Sequence, residues 1–347
     1  MNGPREVNWD ITYACPLRCT HCYSESGRRA SRRLSPEDRR RVAKALITLK
    51  PKAIQLSGGE PLLIEDLPVL AGMFREAGIE VGLFTSGWLL DRARLDGLLG
   101  VFSSVHVSLD GATAEVHDRI RGRAGSFDRA IRALALLDEA AGSSTQPPLT
   151  FGIDCTLVRS NFDDMEAMCR DVASLFPHLG YVSFGAAVPG GLANREGYAR
   201  HELLSDAQLD ALARPELGAR LRELVPPSLS LQTFDGRALQ MHPELIARGY
   251  ALTGLMQVEP DGRVRGMAMY EGTVGSLLEE PADVLWSRTR ERVRSDFVMR
   301  TLAPVRTMAE WAEAARRIDL HFGSAADRVR IAARPPFSPE PPSADRR

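Results

Sequence analysis

Residues 7–23 read Val7-Asn8-Trp9-Asp10-Ile11-Thr12-Tyr13-Ala14-Cys15-Pro16-Leu17-Arg18-Cys19-Thr20-His21-Cys22-Tyr23. Val7 to Thr12 has the apolar, branched character of a strand, and three cysteines follow it directly. Downstream the same grammar repeats. Ser35-Pro36-Glu37-Asp38 starts a helix with a capping serine, a proline at the first turn and early acids, and the helix runs to about Leu49. Strands are predicted at Ala53–Ser57, Glu80–Phe84, Val105–Leu109, Phe151–Val158 and Tyr181–Ala187. Helices are predicted near Glu65–Ala77, Leu90–Leu99, Ser126–Ala141 and Asp163–Phe176. Six strand-then-helix repeats imply an α/β fold with a parallel sheet, because parallel neighbours need crossover connections. The expected form is a partial (β/α)6 barrel.

Reactive groups in such folds gather where the strands end. The cysteines follow strand one, Gly58-Gly59-Glu60-Pro61 strand two, Thr85-Ser86-Gly87 strand three, and Ser108-Leu109-Asp110-Gly111 closes strand four. Farther on, Ser205–Leu224 reads as helical and 226–275 as short strands and turns, one at Pro260-Asp261-Gly262. Trp286–Arg300 and Met308–Arg317 read as helices. The expected organisation is a core at 1–225, a small α+β extension at 226–300, a helical segment at 301–333 and a disordered tail at 334–347, where Pro, Ser and charge dominate. Gly142–Pro148 reads as a loop.

The chain has 347 residues, with 44 Lys plus Arg against 45 Asp plus Glu, a net charge of −1. That balance gives no global attraction for nucleic acid or an anionic membrane. No apolar run is long enough to span a bilayer, and the N-terminus has no signal-peptide core. Five cysteines, three of them clustered, speak against a secreted disulfide framework and for metal binding in a reducing compartment. A cytoplasmic protein is expected.

Thiolates are the usual ligands of iron–sulfur clusters. Cys15, Cys19 and Cys22 would hold three irons of one [4Fe-4S] cube and leave the fourth open to a small molecule. A closed zinc site of these cysteines with His21 is the alternative.

The CxxxCxxC spacing and the three later motifs, in order after successive strands, resemble the radical S-adenosylmethionine (SAM) superfamily over about residues 5–190. His117-Asp118-Arg119, Arg121-Gly122 and Gly125-Ser126-Phe127 bring the likeness close to the pyrroloquinoline-quinone and mycofactocin maturases. The resemblance implies a radical SAM barrel, reductive cleavage of SAM and hydrogen abstraction from a peptide or small natural-product precursor. It places SAM against Gly58, Gly59, Glu60 and Pro61, with Glu60 structural or orienting the amine. Thr85 and Ser86 lie near the ribose or substrate, with Ser86 where the family often has Asn. Ser108 reaches the ribose, in a motif that includes Asp110, and Arg121 pairs with the SAM carboxylate. His21 either stacks on adenine or fills the loop. A flavodoxin- or ferredoxin-type electron donor is implied as partner. A non-catalytic SAM-binding sensor is the alternative from another class.

The pattern departs from those maturases at its end. Val258–Met267 and Val274-Gly275-Ser276-Leu277, with Trp286 following, resemble the start of a SPASM region. Yet Met267 stands where a cysteine is expected, and no cysteine follows Cys169. A thioether replaces a thiolate poorly, so a SPASM-like scaffold without its auxiliary cluster is expected. Epimerisation, rearrangement or C–C bond formation then become attractive. Cys155, near the end of strand five, is the candidate hydrogen donor, set against a buried structural role. Cys169 is read as structural. Arg28-Arg29 and Arg39-Arg40-Arg41 either bind an acidic partner or lie on solvated faces.

Overall fold

A computed structural model describes residues 3–30, 33–143, 149–249 and 254–339. Its backbone is one ten-stranded sheet. The first strands are β1 (Glu6–Thr12), β2 (Ala53–Gly58), β3 (Glu80–Thr85), β4 (Ser104–Ser108), β5 (Thr150–Leu157) and β6 (Tyr181–Ala186). They pair in parallel and in chain order. Between them run α1 (Pro36–Thr48), α2 (Leu67–Glu76), α3 (Arg92–Leu98), α4 (Ala114–Arg121) and α5 (Ser126–Ser143). The Ser35 hydroxyl accepts the Asp38 amide over 3.0 Å, the cap implied by the sequence.

The parallel series is longer than six. β7 (Ser230–Phe234) pairs in parallel with β6, and β8 (Leu255–Val258) pairs in parallel with β1. β9 (Arg263–Arg265) and β10 (Thr273–Ser276) then fold back antiparallel beyond β8. The sheet is therefore continuous across the boundary expected at 225/226, and the extension begins as barrel strands. Turn chemistry had made 226–275 legible only as short pieces. Gly262, with φ +79°, supplies the turn between β8 and β9.

Trp9 on β1, Leu56 on β2, Leu83 on β3, Val107 on β4 and Ile153 on β5 are fully buried under the helices. Alternate positions, period two, face the barrel interior. There the sequence is polar: Asn8, Ser57, Ser108, Asp154, Thr156 and Ser183.

Several helices differ from expectation. α4 was not foreseen, although Thr113 caps it and Gly122, with φ +66°, ends it. Residues 159–175 form 3-10, α and π turns in place of one regular helix. Pro215 splits the expected 205–224 helix by forcing Arg214 into an extended conformation. A second helix, Asp296–Leu302, begins after Ser295 inside the expected 286–300 span. A further helix, Ala325–Ala332, precedes the tail.

The tail does not follow its composition as far as it is described. Arg334 reaches Glu25, and the Phe337 amide donates to the Glu196 carbonyl over 2.9 Å. Residues 340–347 of that tail, and 144–148 of the loop expected at 142–148, lie outside the described residues. Among the described residues, no helix is long and apolar enough to cross a membrane.

Candidate active site

The C-terminal ends of the parallel strands surround a cavity of about 360 Å3, within the range of small-molecule sites. Cys15, Cys19 and Cys22 line it together with His21, Gly58, Gly59, Thr85, Ser86, Ser108 and Arg121. The sequence motifs thus meet in space.

Backbone bonds hold the cysteine loop. The Arg18 and Thr20 amides donate to the carbonyls of Arg121 and Ile120, over 3.0 and 2.8 Å. The loop therefore satisfies carbonyls that the end of α4 leaves free. On its other side, the Gly59 amide donates to the Thr12 carbonyl over 2.6 Å and the Glu60 amide to the Ala14 carbonyl over 2.9 Å. A Cβ at Gly59 would stand 2.1 Å from the Ala14 oxygen, so only glycine permits this approach. The Leu17 and Ser26 amides point at the sulfurs of Cys15 and Cys22, at 3.4 and 3.3 Å.

Glu60 lies behind the cavity wall. Its fully buried carboxylate accepts from the Thr85 hydroxyl at 2.8 Å, the Ser86 amide at 3.0 Å, the Leu62 amide at 3.3 Å and the Ser86 hydroxyl. It joins the motif after β2 to the motif after β3. Burial raises its pKa against those four donors. Pro61 opens the 3-10 turn that follows and likewise does not line the cavity.

Asp110 is a second buried carboxylate, expected beside SAM but placed behind the wall. Arg121 Nε stands 2.6 Å from Oδ2 and Nη2 donates to Oδ1 over 2.8 Å. His21 Nε2 lies 2.9 Å from Oδ2, and the Thr156 amide donates to Oδ1 over 2.9 Å. Burial pushes the Asp110 carboxyl upward, but Arg121 and then His21 outweigh it and hold it well below the usual carboxylate range. Arg121 is thus largely committed within the protein. Its Nη1 remains beside the cavity, 3.9 Å from Cys19 Sγ. His21 is held by Asp110 and lines the cavity.

Cys155 is buried, as in the structural alternative set against the hydrogen-donor role. Its neighbours Asp154 and Thr156 face the barrel interior, so alternation turns the Cys155 side chain to the helix layer. It is 3% exposed within the hydrophobic core, with Sγ 4.0 Å from Asn161 Nδ2. It also borders the cavity. Burial pushes its thiol pKa well up. Cys169 is likewise buried in the core.

The donor set at the cavity wall suits an iron–sulfur cluster: three thiols, a guanidinium beside one of them, and bare glycine backbone opposite. Burial raises the Cys15 thiol to about 12, with Cys19 adding to it, and raises Cys19 to about 11 despite Arg121. Ligation must therefore release protons. Among the described residues, no group of His, Cys, Asp or Glu converges on a single ion. A four-iron cube does not need such convergence, because each thiolate meets its own iron. Asn8 also lines the cavity, and its buried Oδ1 has no hydrogen-bond partner among the described residues.

Two groups escaped the sequence reading. The Tyr23 hydroxyl donates to Asp10 Oδ1 over 2.6 Å below the cysteine loop. His106, Asp154 and Tyr181 meet on the barrel interior. Inward-facing polar residues on predicted strands were the available signal.

A profile described as the radical SAM superfamily matches residues 9–172. Over 309 residues the chain is 35% identical to an Fe-coproporphyrin III synthase of Methanosarcina barkeri, covering 81% of this chain and 73% of the relative. Over 167 residues it is 32% identical to a mycofactocin maturase of Mycolicibacterium smegmatis, covering 48% of this chain and only 41% of that relative. The fold matches Streptococcus suis SuiB bound to S-adenosylmethionine with a TM-score of 0.64 at 15% identity, over 83% of this chain and 68% of SuiB. At that identity the likeness concerns the fold.

Proposed function

Because this chain belongs to the radical SAM superfamily and is a radical SAM enzyme, we propose that it acts on a peptide or small natural-product precursor by hydrogen abstraction. The observation that carries the reading is the meeting of Cys15, Cys19, Cys22, Gly58, Gly59 and Ser108 around one cavity. When bound, one [4Fe-4S] cluster and SAM supply reductive cleavage of SAM to methionine and a 5′-deoxyadenosyl radical.

The protein's part is to hold and exclude. Cys15, Cys19 and Cys22 would ligate the cluster, and Arg121 offsets the charge gathered at Cys19. The bare backbone at Gly58 and Gly59 takes the amino-acid end of SAM, and Ser108 takes the ribose. His21, fixed by Asp110, offers its ring to the adenine. With Nη2 donating to Asp110 and Nε in ion-pair distance of it, Arg121 has Nη1 nearest the cavity for the SAM carboxylate. Val188, Ala187 and Met269 wall the chamber against water.

The mycofactocin-maturase likeness supports a peptide precursor, and the longer Fe-coproporphyrin III synthase match supports a small-molecule one. Met267, 2% exposed, lies in the hydrophobic core where an auxiliary-cluster cysteine was expected.

An acidic flavodoxin or ferredoxin would dock on the outer face of the cysteine loop. Arg18, Arg28 and Arg123 are exposed there and donate to the carbonyls of Cys15, Cys19 and Pro16. Arg39 and Arg41 are instead tied to Asp66 and Asp38.

The test is anaerobic reconstitution with iron and sulfide, reduction with dithionite, addition of SAM and assay of 5′-deoxyadenosine. Product from the native chain and none from the Cys15, Cys19, Cys22 triple-Ala variant is expected. A fully loaded protein that makes none with any candidate precursor overturns the reading.

A further inference from the structure

On the barrel interior beside Ser108, three strands contribute one polar group each to a single point. Asp154 on β5 lines the cavity, and its side chain keeps 29% of its surface open. Tyr181 on β6 donates its hydroxyl to Asp154 Oδ2 over 2.9 Å. His106 Nδ1 on β4 lies 3.1 Å from the same oxygen and also meets the Tyr181 hydroxyl. Ser104 Oγ stands 2.9 Å from His106 Nε2, and Phe84 stacks on the imidazole with ring centroids 4.2 Å apart.

The sheet is specifically shaped for this contact. His106, Gly152 and Tyr181 occupy one row across β4, β5 and β6. A Cβ at Gly152 would stand 2.3 Å from the Tyr181 ring. The missing side chain lets that ring lie across β5 and reach the Asp154–His106 pair.

A carboxylate with this support is held in one orientation. Among the described residues, no Lys or Arg pairs with Asp154; its basic neighbour is the His106 imidazole, 3.1 Å away. The nearby guanidinium, Arg121, is bound to Asp110. Both donors end on Oδ2, which leaves Oδ1 for a donor arriving through the cavity. A carboxylate that faces a partly enclosed chamber with no Lys or Arg paired to it leaves room for a ligand cation to complete the contact.

We propose that Asp154, backed by Tyr181 and His106, anchors the substrate through a protonated amine. The inference rests on the cavity being the reaction chamber of the radical SAM enzyme. It adds that the precursor carries an ammonium group held beside the inner wall. Asp154 is then a specificity-determining residue, and His106 and Tyr181 are positioning residues.

The test uses saturation-transfer NMR on reconstituted holoenzyme with SAM bound, with n-butylammonium, n-butanol and n-butyrate as separate probes. Several-fold stronger transfer to the ammonium than to the alcohol is expected. Asp154→Asn should bring the two level. Gly152→Ala, which leaves the carboxylate but displaces Tyr181, should lower ammonium transfer part of the way, as should Tyr181→Phe. Circular dichroism checks that each variant folds. Equal ammonium transfer in the native chain and Asp154→Asn overturns the proposal. So does a loss of SAM affinity in Asp154→Asn as large as the loss of ammonium binding, because the carboxylate would then serve SAM. The same samples are assayed for 5′-deoxyadenosine. Cleavage without amine selectivity overturns the anchor alone, and amine selectivity without cleavage counts against the radical reading alone.

Discussion

Arg334 Nη2 donates to Glu25 Oε1 over 2.7 Å, joining residues 309 positions apart in the chain. Glu25 lies three residues beyond Cys22, is 4% exposed and has φ +53°. Arg330, from the Ala325–Ala332 helix, binds the same carboxylate and stands 2.9 Å from Glu271. On the far side, Phe337 packs on Tyr198, whose hydroxyl meets Thr20 Oγ1 at 3.3 Å. The last described residues thus brace the cysteine loop at two points. Removing both cations leaves a buried carboxylate unpaired, at a cost of about 3 kcal/mol. The Arg330→Ala, Arg334→Ala double variant should lose iron to a chelator several-fold faster than the native holoenzyme. Unchanged iron release would mean that the brace does not reach the cluster loop.

Gly191 has φ +53°, and a Cβ there would stand 2.2 Å from the Tyr23 carbonyl oxygen and 2.6 Å from that of Cys22. The Leu192 amide donates to that Cys22 carbonyl over 3.0 Å. Gly191→Ala should therefore displace the third cysteine. Iron bound after reconstitution should fall well below that of the native chain, with far-UV circular dichroism preserved. A full iron complement in this variant would show that the loop tolerates the shift.

Glu60→Gln replaces one carboxylate oxygen by an NH2 group that faces hydroxyl and amide donors. Leaving such buried donors without an acceptor costs about 1–3 kcal/mol. The melting temperature should drop by several degrees, and SAM affinity, read by equilibrium dialysis, should weaken because Thr85 and Ser86 lose their common tether. Native stability in this variant would remove Glu60 from the structural role assigned to it.

Asp319 is 1% exposed; burial, then Glu271, raises its carboxyl from the usual value to about 7. The folded state holds this proton more tightly than the unfolded chain. Its contribution to stability is therefore fully present below about pH 4 and is lost as pH rises toward about 7. Asp319→Asn keeps an acceptor for the Glu271 amide, which donates over 2.9 Å, and removes the titration. Denaturant unfolding from pH 4 to 7 should show a shallower fall in stability for the variant. Parallel curves would contradict the assignment.

The alternation of strands and helices was legible because each element carries its own signal: period-two burial, a capping serine, a proline. The cavity-lining motifs were legible for the same reason, lying next to strand ends in the chain. What escaped reading depends on partners far away in sequence. β8 looks like one more short apolar run until it finds β1. Asp110 sits in a motif beside the site, yet only folding shows that Arg121, His21 and Thr156 consume its oxygens. Asp154 reads as one polar position of a strand, and Gly152 as a weak one, until Tyr181 crosses over. Arg334 belongs to a tail whose composition points to disorder, and a single buried carboxylate reverses that for the residues nearest it.

β1 has β2 on one side and β8 on the other, Val7 standing opposite both Ile54 and Met256. The strand that leads into the cysteines therefore lacks one of its neighbours until some 250 residues have been synthesised after it, and the Arg334 brace comes later still. During that interval the thiols sit on a half-supported edge, open to stray metals and oxidants. The cysteine loop is therefore fully supported only once β8 and the Arg334 contact are both in place.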